Sequence, residues 1–532
     1  MLNPMDNALF LQNWRERMRP STVIAAIIIT ILTLVLIFLG TYLDDRTYRR
    51  NDPNLEAFWL IAIGQGILLL LVGTSSAHNM AVRERNSGTL DFHRASPSTR
   101  FEQILGMLLG APSLEWCVFL MTMPAAGTLA VLGGIPWERL AEFYGALVLC
   151  ALFFHLSVIF LALAQDRKQS AVNRRGTNAI KLFVFFYFFG SFLVLTQNFS
   201  SLYHLTCWPQ YAQVAELIYK DQDRYSYRND PDYAPYYEQQ KKKKELLNMF
   251  YGIKVPSWFL QMLVQIPLIC LFWVGTNRKI SYPERFAFSK SHTLTAITFL
   301  IFLYLGSAIS ILLESVSYKS ELDAIALGTL WLVLFLGILG AIGNTPTQLM
   351  YLKGLRRTKK LKLKGIDWSD DQSSNLMTLI VFAMILLVAF KAVSPWIDYP
   401  THQRMLLLTL TLLYVFNFAF SLEYFRLSPH HKKRTLFLVG VGIVWGFLPM
   451  LGWTLRSVLE PLPNAMTFFL APSPFSGFLS MFESFQPWQT KPDPVSRQNI
   501  IVFINGAFAL AMFLLSCRER RRLQQEVFGE TK

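Results

Sequence analysis

Apolar residues in this chain gather into long unbroken runs instead of alternating or recurring every third or fourth place. The clearest, Thr22–Leu43, contains no charged residue. A helix needs about 20 such residues to cross a hydrocarbon core about 30 Å thick, and backbone groups in lipid are satisfied only inside helices or closed barrels. The pattern predicts about twelve helical spans: Thr22–Leu43, Phe58–Met80, Ile104–Leu132, Phe143–Gln165, Ile180–Gln197, Trp258–Gly275, Thr293–Leu313, Ala324–Gly343, Leu376–Val393, Met405–Phe425, Leu436–Trp453 and Ile500–Cys517. The third run carries Pro112, Pro124, Gly127, Gly133 and Gly134, so it is expected to bend or re-enter. The predicted fold class is an all-α polytopic membrane protein.

Composition agrees. Of the 532 residues 53% are hydrophobic and only 16% charged, against a usual quarter, and the mean hydropathy is +0.34. A water-soluble chain this apolar would expose aggregating patches. A soluble enzyme, a disordered scaffold and a nucleic-acid-binding module are excluded together. The net charge of +15 belongs to loops, as the positive-inside rule requires. Basic residues mark the N-terminus (Arg15, Arg17, Arg19) and every even-numbered exit, ending with Arg518 to Arg522. Both termini are therefore expected in the cytoplasm, with the protein in the cell membrane. Arg46, Arg49 and Arg50 after the first span, and Lys241 to Lys244 in a long external loop, run against this. The first twenty residues show no cleavable signal, so the first helix is expected to stay.

Loop lengths repeat. In each half the loop between second and third spans is a long cytoplasmic one, and that between fifth and sixth is a long external one (Asn198–Ser257, Thr454–Asn499). This predicts two six-helix units in parallel orientation, residues 1–290 and a divergent second unit, 291–532.

Little in the chain carries covalent chemistry. Cys117, Cys150, Cys207, Cys270 and Cys517 have no metal or redox spacing. Glu115 lies inside the third run, and an intramembrane acid is a functional-site hypothesis by default. It either serves transport, by lining a substrate path or relaying protons, or hydrogen-bonds a neighbouring helix at the interface. Glu423, Lys391 and Arg456 lie near span ends, where they are expected to snorkel. His78 and His93 have no ligand partner at i+4 and are read as interfacial.

The informative segment is the first cytoplasmic loop, Arg83-Glu84-Arg85-Asn86-Ser87-Gly88-Thr89-Leu90-Asp91-Phe92, then Ala95-Ser96-Pro97, then Ile104-Leu105-Gly106. Ser87 or Thr89 can cap a short helix, and Asp91 and Glu102 suit helix N-terminal ends. Leu90, Phe92 and Phe101 supply apolar contacts and Pro97 ends the helix. The result is a short amphipathic helix at the membrane surface, which on spacing alone could merely anchor the loop.

These residues resemble the ABC-2 type permeases, the membrane subunits of ABC exporters. Asn3-Pro4 and Trp14-Arg15-Glu16-Arg17-Met18-Arg19 are similar to that family's amphipathic N-terminal helix, and Leu470-Ala471-Pro472-Ser473-Pro474 looks like its re-entrant external element. The resemblance implies that the loop at 81–103 is a coupling helix docking on a separate ATP-binding subunit. Carried residue by residue, it points to Glu84, Arg85, Gly88, Thr89, Leu90, Asp91, Pro97 and Gly106. The chain departs from the family at Met107, usually a lysine there. In the second half, Leu352-Lys353-Gly354-Leu355-Arg356-Arg357 keeps only the basic character of the motif. No G-x-x-x-x-G-K-[ST] phosphate loop occurs, so ATP and Mg²⁺ are expected on the partner, with no cofactor on this chain. Membrane lipid and a second permease chain are further expected partners; nucleic acid is not. The rival reading is a twelve-helix secondary transporter driven by an ion gradient. That class would want a long central cytoplasmic loop and a glycine-aspartate-basic signature after the second span. A membrane-embedded enzyme would need convergent polar side chains at membrane depth, of which only Glu115 is evident.

Overall fold

The computed structural model describes residues 8–43, 52–95, 98–164, 209–213, 249–282, 286–314, 340–341, 344–363, 366–367, 370–393, 401–428 and 494–529. Most of the structure is helical, with seven helices long and apolar enough to cross a membrane among the described residues. The chain is a polytopic, mostly helical membrane protein. It divides into two compact units, 1–287 with 306–311, and 288–305 with 312–532.

In the first unit α1 (Ala8–Arg17) leads into α2 (Pro20–Leu43). Helix α3 runs over Pro53–Ser87 with a π-helical stretch at Leu68–Gly73. It starts on Asp52, whose carboxylate accepts from the Asn54 N–H, with proline in the first turn. Then come α4 (Thr89–Ala95), α5 (Arg100–Gly110), α6 (Ser113–Leu132), α7 (Trp137–Ala164) and α8 (Ser257–Ser281). A two-residue antiparallel pair, β1 (Met249–Phe250) and β2 (Ile253–Lys254), precedes α8. The second unit contains α9 (Lys290–Glu314) apart from its residues 306–311, and α10 (Gln348–Lys360), α11 (Leu376–Val393), α12 (Thr401–Leu427) and α13 (Pro494–Phe528).

The predicted third span is corrected. Ile104–Leu132 is not one helix: α5 ends at Gly110 and the crossing helix begins at Ser113. Pro112 has no N–H to continue the ladder, and its carbonyl instead starts α6 by accepting from Trp116. Pro124 lies inside α6 without breaking it. The predicted spans Ile180–Gln197 and Leu436–Trp453, nearly all of Ala324–Gly343, and most of both long external loops lie outside the described residues.

Two apolar cores hold the first unit. One joins Phe58, Leu69, Phe119, Phe143, Leu147 and Tyr211, with Phe143 and Tyr211 edge to face at 4.9 Å. The other, nearer the α4 end, joins Leu9, Met80, Leu90, Ile104, Met107 and Leu156. Helix α2 packs Leu34 and Ile37 against the first core but leaves its other side open: Ile28 and Ile29 remain 59% and 63% exposed among the described residues, which suits surroundings of lipid.

Polar groups in the bundle are paired across helices. Gln65 on α3 donates to Thr122 on α6 at 2.9 Å and accepts from the Tyr144 hydroxyl on α7 at 3.1 Å. In the second unit Asn417 on α12 donates to Asn505 on α13 at 3.1 Å. Interhelical bonds of this kind in a bilayer contribute roughly 0.6 kcal/mol each. Gln65→Leu is therefore expected to destabilise the protein by about 1 kcal/mol and Tyr144→Phe by about half of that. Thermal unfolding in a fixed detergent checks this, and an unshifted Gln65→Leu midpoint would contradict it.

Candidate functional site

The chain makes an elbow at Gly88. Helix α3 continues past the apolar stretch to Ser87 and stops at Gly88, which adopts φ +79°. That left-handed conformation is what glycine supplies at a helix end. The Gly88 carbonyl accepts from the N–H groups of Asp91 and Phe92, so α4 starts immediately. The Ser87 and Thr89 hydroxyls lie 2.5 Å apart across the turn. Thr99 then caps α5 with a reciprocal box: its side chain accepts from the Glu102 N–H, and the Glu102 carboxylate accepts from the Thr99 N–H at 2.8 Å.

The elbow has an inner and an outer face. Leu90, 2% exposed, sits in the core with Met80, Ile104 and Met107. Gly106 is buried as well. Glu84 and Arg85, the charged centre of the sequence motif, also point inward at 2% and 4% exposure. Arg85 donates to the Ala162 carbonyl near the end of α7. Both charges are therefore withdrawn from the surface, and Arg85 ties α3 to α7. Thr89 and Gly88 are half-buried, Asp91 is exposed, and Phe92 stands 71% exposed. Pro97 lies outside the described residues.

Glu115 is brought to this same end. The sequence placed it a dozen residues into a span; the break at Pro112 puts it in the first turn of α6, where the helix dipole favours a carboxylate. It is 3% exposed. Its Oε1 accepts from the Ser76 hydroxyl at 2.6 Å and lies 3.4 Å from the Arg17 guanidinium. Arg17 also donates to Ser76 and to the Ala111 carbonyl. Of the two alternatives for Glu115, this geometry is that of a tie between helices.

Helix α1 is fastened at two further points. Glu16 accepts two bonds from Arg83, at 2.5 and 2.9 Å. Gly110 on α5 lets α1 cross closely, since a Cβ there would lie 3.3 Å from the Phe10 carbonyl oxygen.

Two residues, His155 and Lys290, were missed in the sequence, and two more, Glu423 and His78, lie deeper than it suggested. His155 is fully buried in α7, and its Nε2–H donates to the Leu69 carbonyl, 2.9 Å away in the π-helical stretch. Only a π-helical stretch next to a histidine would have signalled it, and periodicity does not resolve one. Glu423, read as a snorkelling residue, is instead completely buried. It lies 3.8 Å from Arg520 on α13, whose guanidinium also donates to the Ser374 hydroxyl at 2.8 Å. Lys290, equally buried, donates to the carbonyls of Ser373 and Ser374 at 2.8 and 2.9 Å. His78, read as interfacial, is 5% exposed.

No family model, curated protein or solved structure matches the chain.

Arg17→Ala is expected to destabilise the protein by about 2 kcal/mol, the order of a charge-assisted hydrogen bond. Adding Glu115→Gln should recover part of that loss, because the stranded charge is removed. Thermal unfolding of both single variants and the double variant checks this, and strictly additive shifts would show no coupling. Acid should also loosen α1. The bonds from Arg83 hold the Glu16 carboxyl below its usual 4.5. A carboxylate with a depressed folded pKa stabilises at neutral pH, and that contribution is lost as the pH falls through the folded value. The protection of α1 amides, measured against the intrinsic exchange rate at each pH, should therefore fall below about pH 4.5, and less so in Arg83→Gln. Identical acid profiles for the two proteins would contradict the assignment.

Proposed function

We propose that the chain is the membrane-spanning permease subunit of an ATP-driven ABC transporter of the ABC-2 type, working as an exporter. In this reading it has about twelve spans in two parallel six-helix units and sits in the cell membrane with both termini in the cytoplasm. A separate ATP-binding subunit holds ATP and Mg²⁺ and docks on the segment at 81–103. The bundle then alternates between two packings as that subunit opens and closes.

The observation that supports this best is the elbow at Gly88. A surface helix that transmits force needs a rigid root and an exposed tip. Leu90, Glu84, Arg85 and Gly106 supply the root, seated in the core or tied to α7. Asp91 and Phe92 supply the tip. Direct contact with the partner then falls to Asp91 and Phe92, while Glu84 and Arg85 are positioning residues. Helix α1, fixed to α3 by Glu16–Arg83 and to α6 by Arg17–Glu115, would move with the elbow and carry its displacement to α2.

Phe92→Asp is expected to abolish co-purification of an ATP-binding subunit from native membranes, and ATP-dependent transport with it, while thermal stability stays unchanged. Glu84→Ala should lower transport and stability together. Full transport by Phe92→Asp would remove the docking assignment. Transport by the purified chain in liposomes without nucleotide hydrolysis would remove the function itself.

A further inference from the structure

Helix α10 has a cationic outer face that the elbow of the first unit does not explain. Thr347 caps it by accepting from the Met350 N–H. Its inner face buries Tyr351, Gly354, Leu355 and Thr358, packing on Leu427 of α12 and on Leu523 and Val527 of α13. The helix closes where Lys362 turns left-handed at φ 54°, and the N–H of Leu363 donates back to the Thr358 carbonyl. What remains outside is basic. From Gln348 to Gly365 the sequence holds seven lysines and arginines and no acid. Arg356, Arg357, Lys359, Lys360 and Lys362 are exposed.

Three of these line a cleft. Between α10 and the end of α13 lies an open space of about 260 Å³ bordered by Arg356, Lys359, Lys360, Glu526 and Val527. Lys359 is held there by donating to the Val527 carbonyl at 2.7 Å. Three cations face one carboxylate, so the cleft favours an anion. Large apolar side chains on α10 and in the turn after it are exposed as well: Leu349 is 64% exposed, Leu361 53% and Leu363 55%. Cations between exposed leucines suit a surface where phosphate groups lie just above hydrocarbon. Position agrees, because α10 follows the apolar run Ala324–Gly343 by four residues and α11, itself apolar, begins at Leu376.

We infer that α10 and the end of α13 form a binding site for the headgroup of an anionic phospholipid. Arg356, Lys360 and Lys362 would engage the phosphate, and Leu361 and Leu363 would enter the acyl region beneath it. The site requires only that the chain lie in a bilayer, and it stands or falls independently of any ATP-binding partner.

Native mass spectrometry of the purified full-length chain in detergent tests this, with dioleoylphosphatidylglycerol and dioleoylphosphatidylcholine as probes. The wild-type chain should retain the anionic lipid in preference to the zwitterionic one. The triple variant R356Q/K360Q/K362Q should retain it roughly a hundredfold more weakly, as expected from losing three basic contacts. The charge-preserving variant R356K/K360R/K362R should keep it. Unfolding temperatures in phosphatidylcholine show whether the variants are folded. Equal retention of phosphatidylglycerol by wild type and a folded triple variant would overturn the proposal, as would equal retention of both lipids by the wild type. Displacement of the lipid by equimolar inorganic phosphate would assign the cleft to a soluble anion instead.

Discussion

A carboxylate held at the edge of a hydrocarbon layer has to meet a cation, and much of the first unit follows from how Glu115 does so. Desolvating an isolated charge costs far more than a helix can recover by packing. Glu115 is reached by Ser76 from α3 and by Arg17 from α1. Because Arg17 also holds the Ala111 carbonyl, one side chain joins the last turn of α1 to the break between α5 and α6. The N-terminal helix therefore has a defined seat although it is short and polar. Gly110 allows the approach, and Glu16 with Arg83 closes the other side.

The same constraint recurs in both units, where several buried polar groups find a partner on another helix: Gln65 with Thr122 and Tyr144, His155 with the Leu69 carbonyl, Asn417 with Asn505. In the second unit the buried charges Lys290 and Glu423 and the half-buried Arg520 gather with the Ser373–Ser374 turn where α9 and α11 begin and α12 ends. Apolar surfaces alone give little directional preference inside lipid, since lipid tails are as apolar as leucine. Polar pairs of this kind set which helices are neighbours.

This bears on how the proposed function would operate. A force-transmitting element is useful only if its root is stiffer than its tip. In segment 81–103 the motif's charges form the root and its aromatic residue the tip. A family motif read from sequence alone treats all of its residues as equivalent contacts. Burial separates them into those that would touch a partner and those that hold the touching residues in place.

Much of the architecture is legible in the linear pattern. The apolar runs announce membrane helices because hydrophobic length is a local property, and Pro20–Leu43, Trp137–Ala164 and Met405–Leu427 lie close to where those runs place them. The short helix after Gly88 and the caps at Thr99 and Asp52 are equally local, resting on residues one to four places apart. Other features are not local. That Ile104–Leu132 breaks at Pro112 and stays whole at Pro124 is not set by the prolines alone, since both lack an N–H. That Glu84 and Arg85 face inward, that Glu423 is sealed from water, and that Glu115 belongs to Arg17, nearly a hundred residues away in the chain, depends on which helices become neighbours. Hydrophobic run length says that a helix crosses the membrane; only assembled neighbours, through the requirement that buried charge and hydrogen-bonding groups be met, decide which way its polar residues point.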